Sequence, residues 1–467
     1  MWTIARHQLL SGFRNAKYIF LAALVILSFI ANAFVYSEKY QQNYQDWRDS
    51  IHNNTNMLEE YSYSLQQLVN YEQIAVKPPS AIAFLADGGE SMLPNSLSSV
   101  NAFIYLNPER FSRGNKILPV IGSLDWAFIV GTLMTLLAVL ISYNVICGEK
   151  RDGTLRMILA QQVSRCKVFL GKYLGILFVL LITFFVGAII NILILVFYNA
   201  LPLTENIIIT IGWAVLLSVL CLSAILLTGM AVSSLARRPA VALVLLMIGW
   251  VLFVVAVPGI GRLIAEQSIE VRSPFDLENE LELLLREVED EIPTEGKVWN
   301  GDPFGENIPL RGEWRRRQTT AIQNIDNESN SEKILQAELN NNISFISPMG
   351  MLGTALQALS GTGVTGFNLL LRTARRYQQQ LYSFTVERDR TDNESPHLIY
   401  YSFGYDRGVI STKPVEVSAV PRWHNLWQEG GLPIEQSWPV LQLILLIACN
   451  LQMALFAFIA LARYDPR

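Results

Sequence analysis

The chain has 467 residues, 51% hydrophobic and only 16% charged, with a formal net charge of −4. Soluble domains carry about 25% charged residues, so an ordinary soluble globular protein is excluded. With a mean hydropathy of +0.30 and no basic excess, the expected surroundings are lipid, and no nucleic-acid partner is expected.

The charge depletion is local: whole windows of about 20 residues lack Asp, Glu, Lys and Arg, which is the length a bilayer demands of a helix. In chain order, residues 1–17 predict an amphipathic helix whose Trp2, Ile4, Leu9, Leu10 and Phe13 favour the membrane interface. The first span is predicted at 18–36. Within it, Ala31-Asn32-Ala33 resembles a signal-peptide cleavage site, but the apolar stretch exceeds the roughly 7–15 residues of a signal core, so it reads as a retained anchor.

An outer segment follows at 37–123, polar and helical over 38–73, with turns at Lys77-Pro78-Pro79 and Asp87-Gly88-Gly89. The second span, 124–146, leads into a basic loop at 147–172. Spans three, four and five are predicted at 173–198, 207–235 and 240–264. A large outer segment, 265–437, precedes the sixth span at 438–462. In that segment Leu277, Leu281, Leu284 and Leu285 make a helical stripe over 275–288. A Gly/Pro-rich break at 293–312, a polar helix at 313–340, a more apolar helical stretch at 349–382 and short strands at 398–403 and 415–420 complete the reading.

Lys and Arg in short loops set topology. Arg6, Arg14 and Lys17, the six basic residues of loop 147–172, Arg237 and Arg238, and Arg463 and Arg467 fall on one side if both termini are cytoplasmic. The expected fold class is therefore an α-helical polytopic membrane protein. It has six transmembrane helices, both termini inside, and a mainly helical extracytoplasmic domain with a few short strands.

Catalytic signatures are missing. Gly171-Lys172 and Gly296-Lys297 lack the glycine and the Ser/Thr that make a phosphate-cradling loop, and there is no G-x-S-x-G nucleophile turn. Cys147, Cys166, Cys221 and Cys449 lie in or beside the spans, and the four histidines have no metal-ligand spacing. Nor do the span centres carry the ionisable groups of an ion-coupled carrier. Asn32, Asn144, Asn191, Asn450 and Gln452 read as interhelical hydrogen-bond formers rather than substrate contacts.

The most distinctive stretch is Glu149-Lys150-Arg151-Asp152-Gly153-Thr154-Leu155-Arg156, followed by Ile158-Leu159, Ser164-Arg165 and Gly171-Lys172. Gly153 is placed to break the helix leaving span two, Thr154 to cap the next, and Leu155, Ile158 and Leu159 to form a small apolar ridge. Glu149, Arg151 and Arg156 would supply charge at its edge. A basic loop held to anionic lipid needs only charge, whereas here the residues also keep an order.

That order resembles the E-x-x-x-G-T-L…L-x-x-P-x-S-R…G-K signature of ABC-2 type transporter permeases, with Gln162 in place of the usual Pro. A second pattern is similar to permeases of that family carrying a DUF3526 domain: Ser347-Pro348, Leu356, Leu359, Gly361-Thr362-Gly363, Phe367 and Tyr377. The resemblance implies a bacterial cytoplasmic-membrane subunit without catalytic residues. Loop 147–172 would be the coupling helix that seats in a separate ABC ATPase, which binds the ATP and Mg, and residues 1–17 would be the elbow helix. It further implies pairing with a second permease chain, identical or paralogous, and export rather than import. A non-transporting mechanotransmitter acting on periplasmic partners is the alternative.

Overall fold

The computed structural model describes residues 2–14, 16–87, 93, 96–100, 105–106, 124–160, 163–291, 308–395, 411–429 and 438–463. Among them the chain is mostly helical, with six helices long and apolar enough to cross a membrane. A short helix, α1 (Trp2–Arg14), precedes the first of these, α2 (Ala16–Tyr61). The second is α4 (Trp126–Arg151), separated from α2 by the short α3 (Leu65–Asn70) and three strands. A small helix, α5 (Thr154–Ala160), joins α4 to α6 (Arg165–Phe197). Then come α7 (Glu205–Leu235) and α8 (Pro239–Ser268). Four helices, α9 (Pro274–Glu291), α10 (Ile308–Ser344), α11 (Pro348–Ser360) and α12 (Gly363–Arg390), fill the long insertion. The short α13 (Trp423–Glu429) leads to the last apolar helix, α14 (Val440–Ala462).

Apolar helices form here because a helix satisfies its own backbone, the condition lipid imposes. α4 and α7 bury the largest share of their residues and α8 and α14 the smallest, so the first two lie inside the bundle and the last two face outward. Side-chain amides join the helices where apolar contact alone gives little direction. Asn191 of α6 donates to the Phe29 carbonyl and to Asn32 Oδ1, each at 2.7 Å, and accepts from Trp126 Nε1 at 3.2 Å. Asn450 donates to the Leu220 carbonyl at 2.9 Å and accepts from Ser223 at 2.6 Å, joining α14 to α7. Three of the predicted interhelical amides, Asn32, Asn191 and Asn450, thus do that work across spans, while Asn144 and Gln452 are exposed.

The helix expected over 38–73 is present through Tyr61 and again in α3, but it is continuous with the first span and strands follow it. α2 runs unbroken through Tyr61, so a helix of 46 residues, about 69 Å at 1.5 Å per residue, carries the first span directly into it. Among the described residues the strands are here, not in the second segment. β1 (Gln73–Val76), β2 (Ser96–Val100) and β3 (Tyr105–Leu106) form an antiparallel sheet in that order, with Ala75 opposite Leu97 and Ser99 opposite Leu106. Residues 415–420, expected as a strand, hold a 3-10 turn at Val417–Ala419, where the Ala419 and Val420 amides bond back to the Glu416 and Val417 carbonyls. The expected strand at 398–403 and most of the break at 293–312 lie outside the described residues.

Described parts of these two inter-span segments also pack together into one unit, outer with respect to the span bundle. Backbone hydrogen bonds run from Leu65 to Lys413 (3.0 Å), Gln66 to Ser411 (3.1 Å) and Val415 to Ser62 (2.8 Å). A second core gathers Leu65, Leu68 and Leu97 from one segment with Phe367, Tyr377 and Trp423 from the other. The predicted stretch at 349–382 is two helices, because Ser360 is followed by Gly361 in the left-handed region (φ +64°). α11, entered through the Ser347 cap and Pro348, buries Leu352, Ala355 and Leu356 in the core of the span bundle rather than in the outer unit. The outer unit is thereby keyed into the bundle, against α7, α14 and the start of α4.

Candidate functional site

The stretch singled out by its sequence sits where three apolar helices end or begin. α4 is interrupted first: its α-helical turns stop at Ser142, the chain turns over 143–146, and helix resumes at Cys147. A broken helix leaves amides and carbonyls without partners. Ser233, fully buried near the end of α7, supplies them. Its hydroxyl accepts from the Ile146 and Cys147 amides at 3.2 and 3.1 Å and donates to the Tyr143 carbonyl at 2.8 Å. Next to it, Lys150 donates to the Ser234 carbonyl and Cys147 Sγ to the Ala236 carbonyl (3.4 Å). The foot of α4 is therefore fastened to the foot of α7.

The chain then reverses. Gly153 has φ +73° with open space where a Cβ would stand, so backbone conformation alone asks for glycine there. Helix α5 starts at once. Thr154 does not cap it as expected: its hydroxyl donates back to the Glu149 carbonyl at 3.4 Å, serving the end of the preceding helix. The expected apolar ridge is also different. Leu155 points inward and is buried in the span core, because the apolar side chain nearest the bundle gains most by leaving water. Ile158 is half-buried, and the large apolar group that faces out is Met157, 71% exposed. Thr154 and Arg156 are exposed beside it. The side chain of Leu159 and residue Gln162 lie outside the described residues.

Charged groups divide in the same way. Arg151 pairs with its neighbour Asp152 at 2.8 Å on the surface, a contact of small energetic weight. Glu149 turns inward and forms an ion pair with Lys172 of α6. The Lys172 ammonium also donates to the Val145 carbonyl at 2.9 Å, and the residue is 1% exposed. Ser164 caps α6, accepting from the Lys167 amide at 3.4 Å, and Arg165 donates to the Ala462 carbonyl at the end of α14. Glu149, Gly153, Leu155, Ser164 and Arg165 thus hold the segment in place, while Thr154, Arg156 and Arg151 face out.

α1 lies across α6, with Ala5 so close to Gly175 that a Cβ there would meet the Ala5 carbonyl oxygen at 2.7 Å. Between α1, α2 and the foot of α4 is a cavity of about 480 Å³, lined by His7, Lys17, Tyr143, Asn144 and Glu149. Among the described residues no His, Cys, Asp and Glu side chains converge as a metal site.

Sequence reasoning missed Ser233, Ser234 and the inward role of Lys172. A signal existed for Lys172, a lone cation just inside an apolar helix behind Gly171. Ser233 and Ser234 stand at the end of another helix, where serines are unremarkable, and only their neighbours give them meaning.

The profile of one protein family, described as ABC-2 family transporter protein, matches residues 2–383. That range takes in α1, the whole segment 147–172 and most of α12. No curated protein matches the chain.

Proposed function

Because the chain belongs to the ABC-2 family of transporter proteins, a family of multi-pass membrane subunits that implies an ABC ATPase partner, we propose that it is the permease half of an ATP-driven exporter. α5 is the coupling helix, on the cytoplasmic side of a bacterial inner membrane together with both termini. The observation that carries this reading is how α5 is presented. It is a two-turn helix between two spans, anchored by buried Leu155, with Thr154, Arg156 and Met157 turned out toward a partner. The distribution of Lys and Arg supports that orientation. ATP and Mg belong to the separate ATPase, which drives α5, and a second permease chain, identical or paralogous, completes the pathway. The Ser347–Tyr377 pattern supports the DUF3526 subgroup.

One observation favours the mechanical alternative. The unbroken α2 and the keyed-in α11 link the bundle rigidly to a large outer unit, as suits force transmission to a periplasmic partner. The test of the coupling reading uses the intact chain co-expressed with its ATPase. Met157→Glu and Arg156→Glu should abolish co-purification, and the thiol introduced by Met157→Cys should cross-link to the ATPase. Undiminished co-purification of both variants overturns it. Uptake into inverted vesicles, against ATP-dependent movement of the outer unit without uptake, separates exporter from mechanotransmitter.

A further inference from the structure

Lys172 is a buried cation in the first turns of α6, a helix long and apolar enough to cross a membrane, and nothing in the ATPase contact requires it. Taking an ammonium out of water is costly unless it is paired and hydrogen-bonded, so its partners indicate what it is there to hold. Those partners lie in the interruption of α4 and just beyond it. Val145, whose carbonyl accepts from Lys172 at 2.9 Å, is inside the turn at 143–146. Glu149, which forms the ion pair, is in the short helix beyond it. One side chain of α6 therefore holds both the turn and the short helix that leads to α5, at the place where α4 is broken and its own helix no longer fixes that segment.

The same break is also fastened to a second helix. Ser233 bonds the Ile146 and Cys147 amides, and Lys150 reaches the Ser234 carbonyl. These contacts tie the segment to α7, not to α6. The approximately 480 Å³ cavity flanks the same place on the side of α1 and α2, so tight packing there does not replace the tether.

We propose that Lys172 is a positioning residue that makes the α5 segment and α6 move as one body, so that displacement of α5 by the ATPase is delivered to the third span through the Lys172–Glu149 and Lys172–Val145 contacts. The inference rests on the reading of α5 as the ATPase contact. At 1% exposure Lys172 does not itself meet the ATPase, so it acts only through the segment it holds.

The experiment follows amide hydrogen exchange in the chain–ATPase complex, with and without ATP, for wild type, Lys172→Met, Lys172→Arg and the double variant Lys172→Met/Glu149→Gln. The double variant leaves neither an unpaired cation nor an unpaired carboxylate, which guards against simple unfolding. In wild type, ATP should change exchange in peptides from both 149–160 and 165–180. In Lys172→Met and in the double variant the ATPase should still co-purify and the change in 149–160 should persist, while the change in 165–180 falls at least several-fold. Lys172→Arg should restore part of it. Equal ATP-dependent changes in 165–180 for wild type and the double variant overturn the tether. So does an indistinguishable loss in Lys172→Met and Lys172→Arg, which would indicate a general packing defect. Absence of any ATP-dependent change in 149–160 of the wild type instead overturns the coupling reading itself.

Discussion

The Tyr377 hydroxyl donates to Gln73 Oε1 at 2.8 Å, joining residues 304 positions apart. Tyr377 is fully buried and its ring meets Trp423 edge-on, with centroids 5.7 Å apart, so the bond sits at the centre of the outer unit. Burial pushes the Tyr377 phenol well above its usual range, so it stays a neutral donor at any pH the protein meets. Tyr377→Phe leaves the buried Gln73 amide without this partner and should cost about 1–3 kcal/mol. Unfolding in detergent, followed by tryptophan fluorescence, checks it. A change within about 0.5 kcal/mol, as for an inert surface site, would count against the assignment.

Asn191 is the corresponding hub among the spans, joining α6 to α2 and α4. Interhelical hydrogen bonds in membranes average about 0.6 kcal/mol each, so Asn191→Leu should lose about 1–2 kcal/mol in detergent-based unfolding. The exposed Asn144 makes no comparable network, and Asn144→Leu should stay within about 0.5 kcal/mol of wild type. Equal losses at both positions would remove the distinction.

Stability of the outer unit should depend on acid pH through Asp392. Lys413, at 2.5 Å, and then the Ser411 hydroxyl, at 2.6 Å, hold this carboxylate down to about 2. A carboxylate depressed in the folded state stabilises fully above its unfolded value of about 3.9, and the contribution fades as pH falls toward 2. The melting temperature should therefore drop between about pH 4 and pH 2, and Asp392→Asn should flatten that portion of the curve. A variant with an unchanged slope would exclude Asp392 as its source.

The turn between α11 and α12 should tolerate little. Gly361 has φ +64° and its carbonyl accepts from Lys77 at 2.8 Å, fixing β1's trailing loop to the turn. Gly361→Ala forces a side chain into the left-handed region and should cost about 1–2 kcal/mol. Gly353, inside α11 with open space at its Cβ, is the control: Gly353→Ala should stabilise by about 0.5–1 kcal/mol. Thermal melts of the two variants should move in opposite directions.

Much of the candidate site was legible because its signals are local. Gly153 announces a reversal wherever it occurs, and Ser164 before a long apolar run announces a cap. Leu155 was read with the wrong orientation, since periodicity names a face without saying which neighbour covers it. Thr154 was read as a cap because its residue type favours one, yet the nearby Glu149 carbonyl took its hydroxyl. The strands escaped notice because β1 and β2 are only 4 and 5 residues long and neither alternates strongly enough to stand out.

The sequence by itself determined that this is a membrane-spanning chain, because the need to satisfy backbone groups in lipid writes itself as uncharged windows of fixed length. It also determined where the chain breaks between spans, through glycine, charge and capping residues acting on their immediate neighbours. Only the tertiary structure decided that strands β1 and β2 share a core with α12 and α13, that α11 belongs to the span core, and that Glu149 serves Lys172 rather than the surface. Those outcomes depend on which distant group arrives within hydrogen-bonding reach. A buried polar atom takes whatever partner the fold brings to it, and no spacing along the chain encodes that partner.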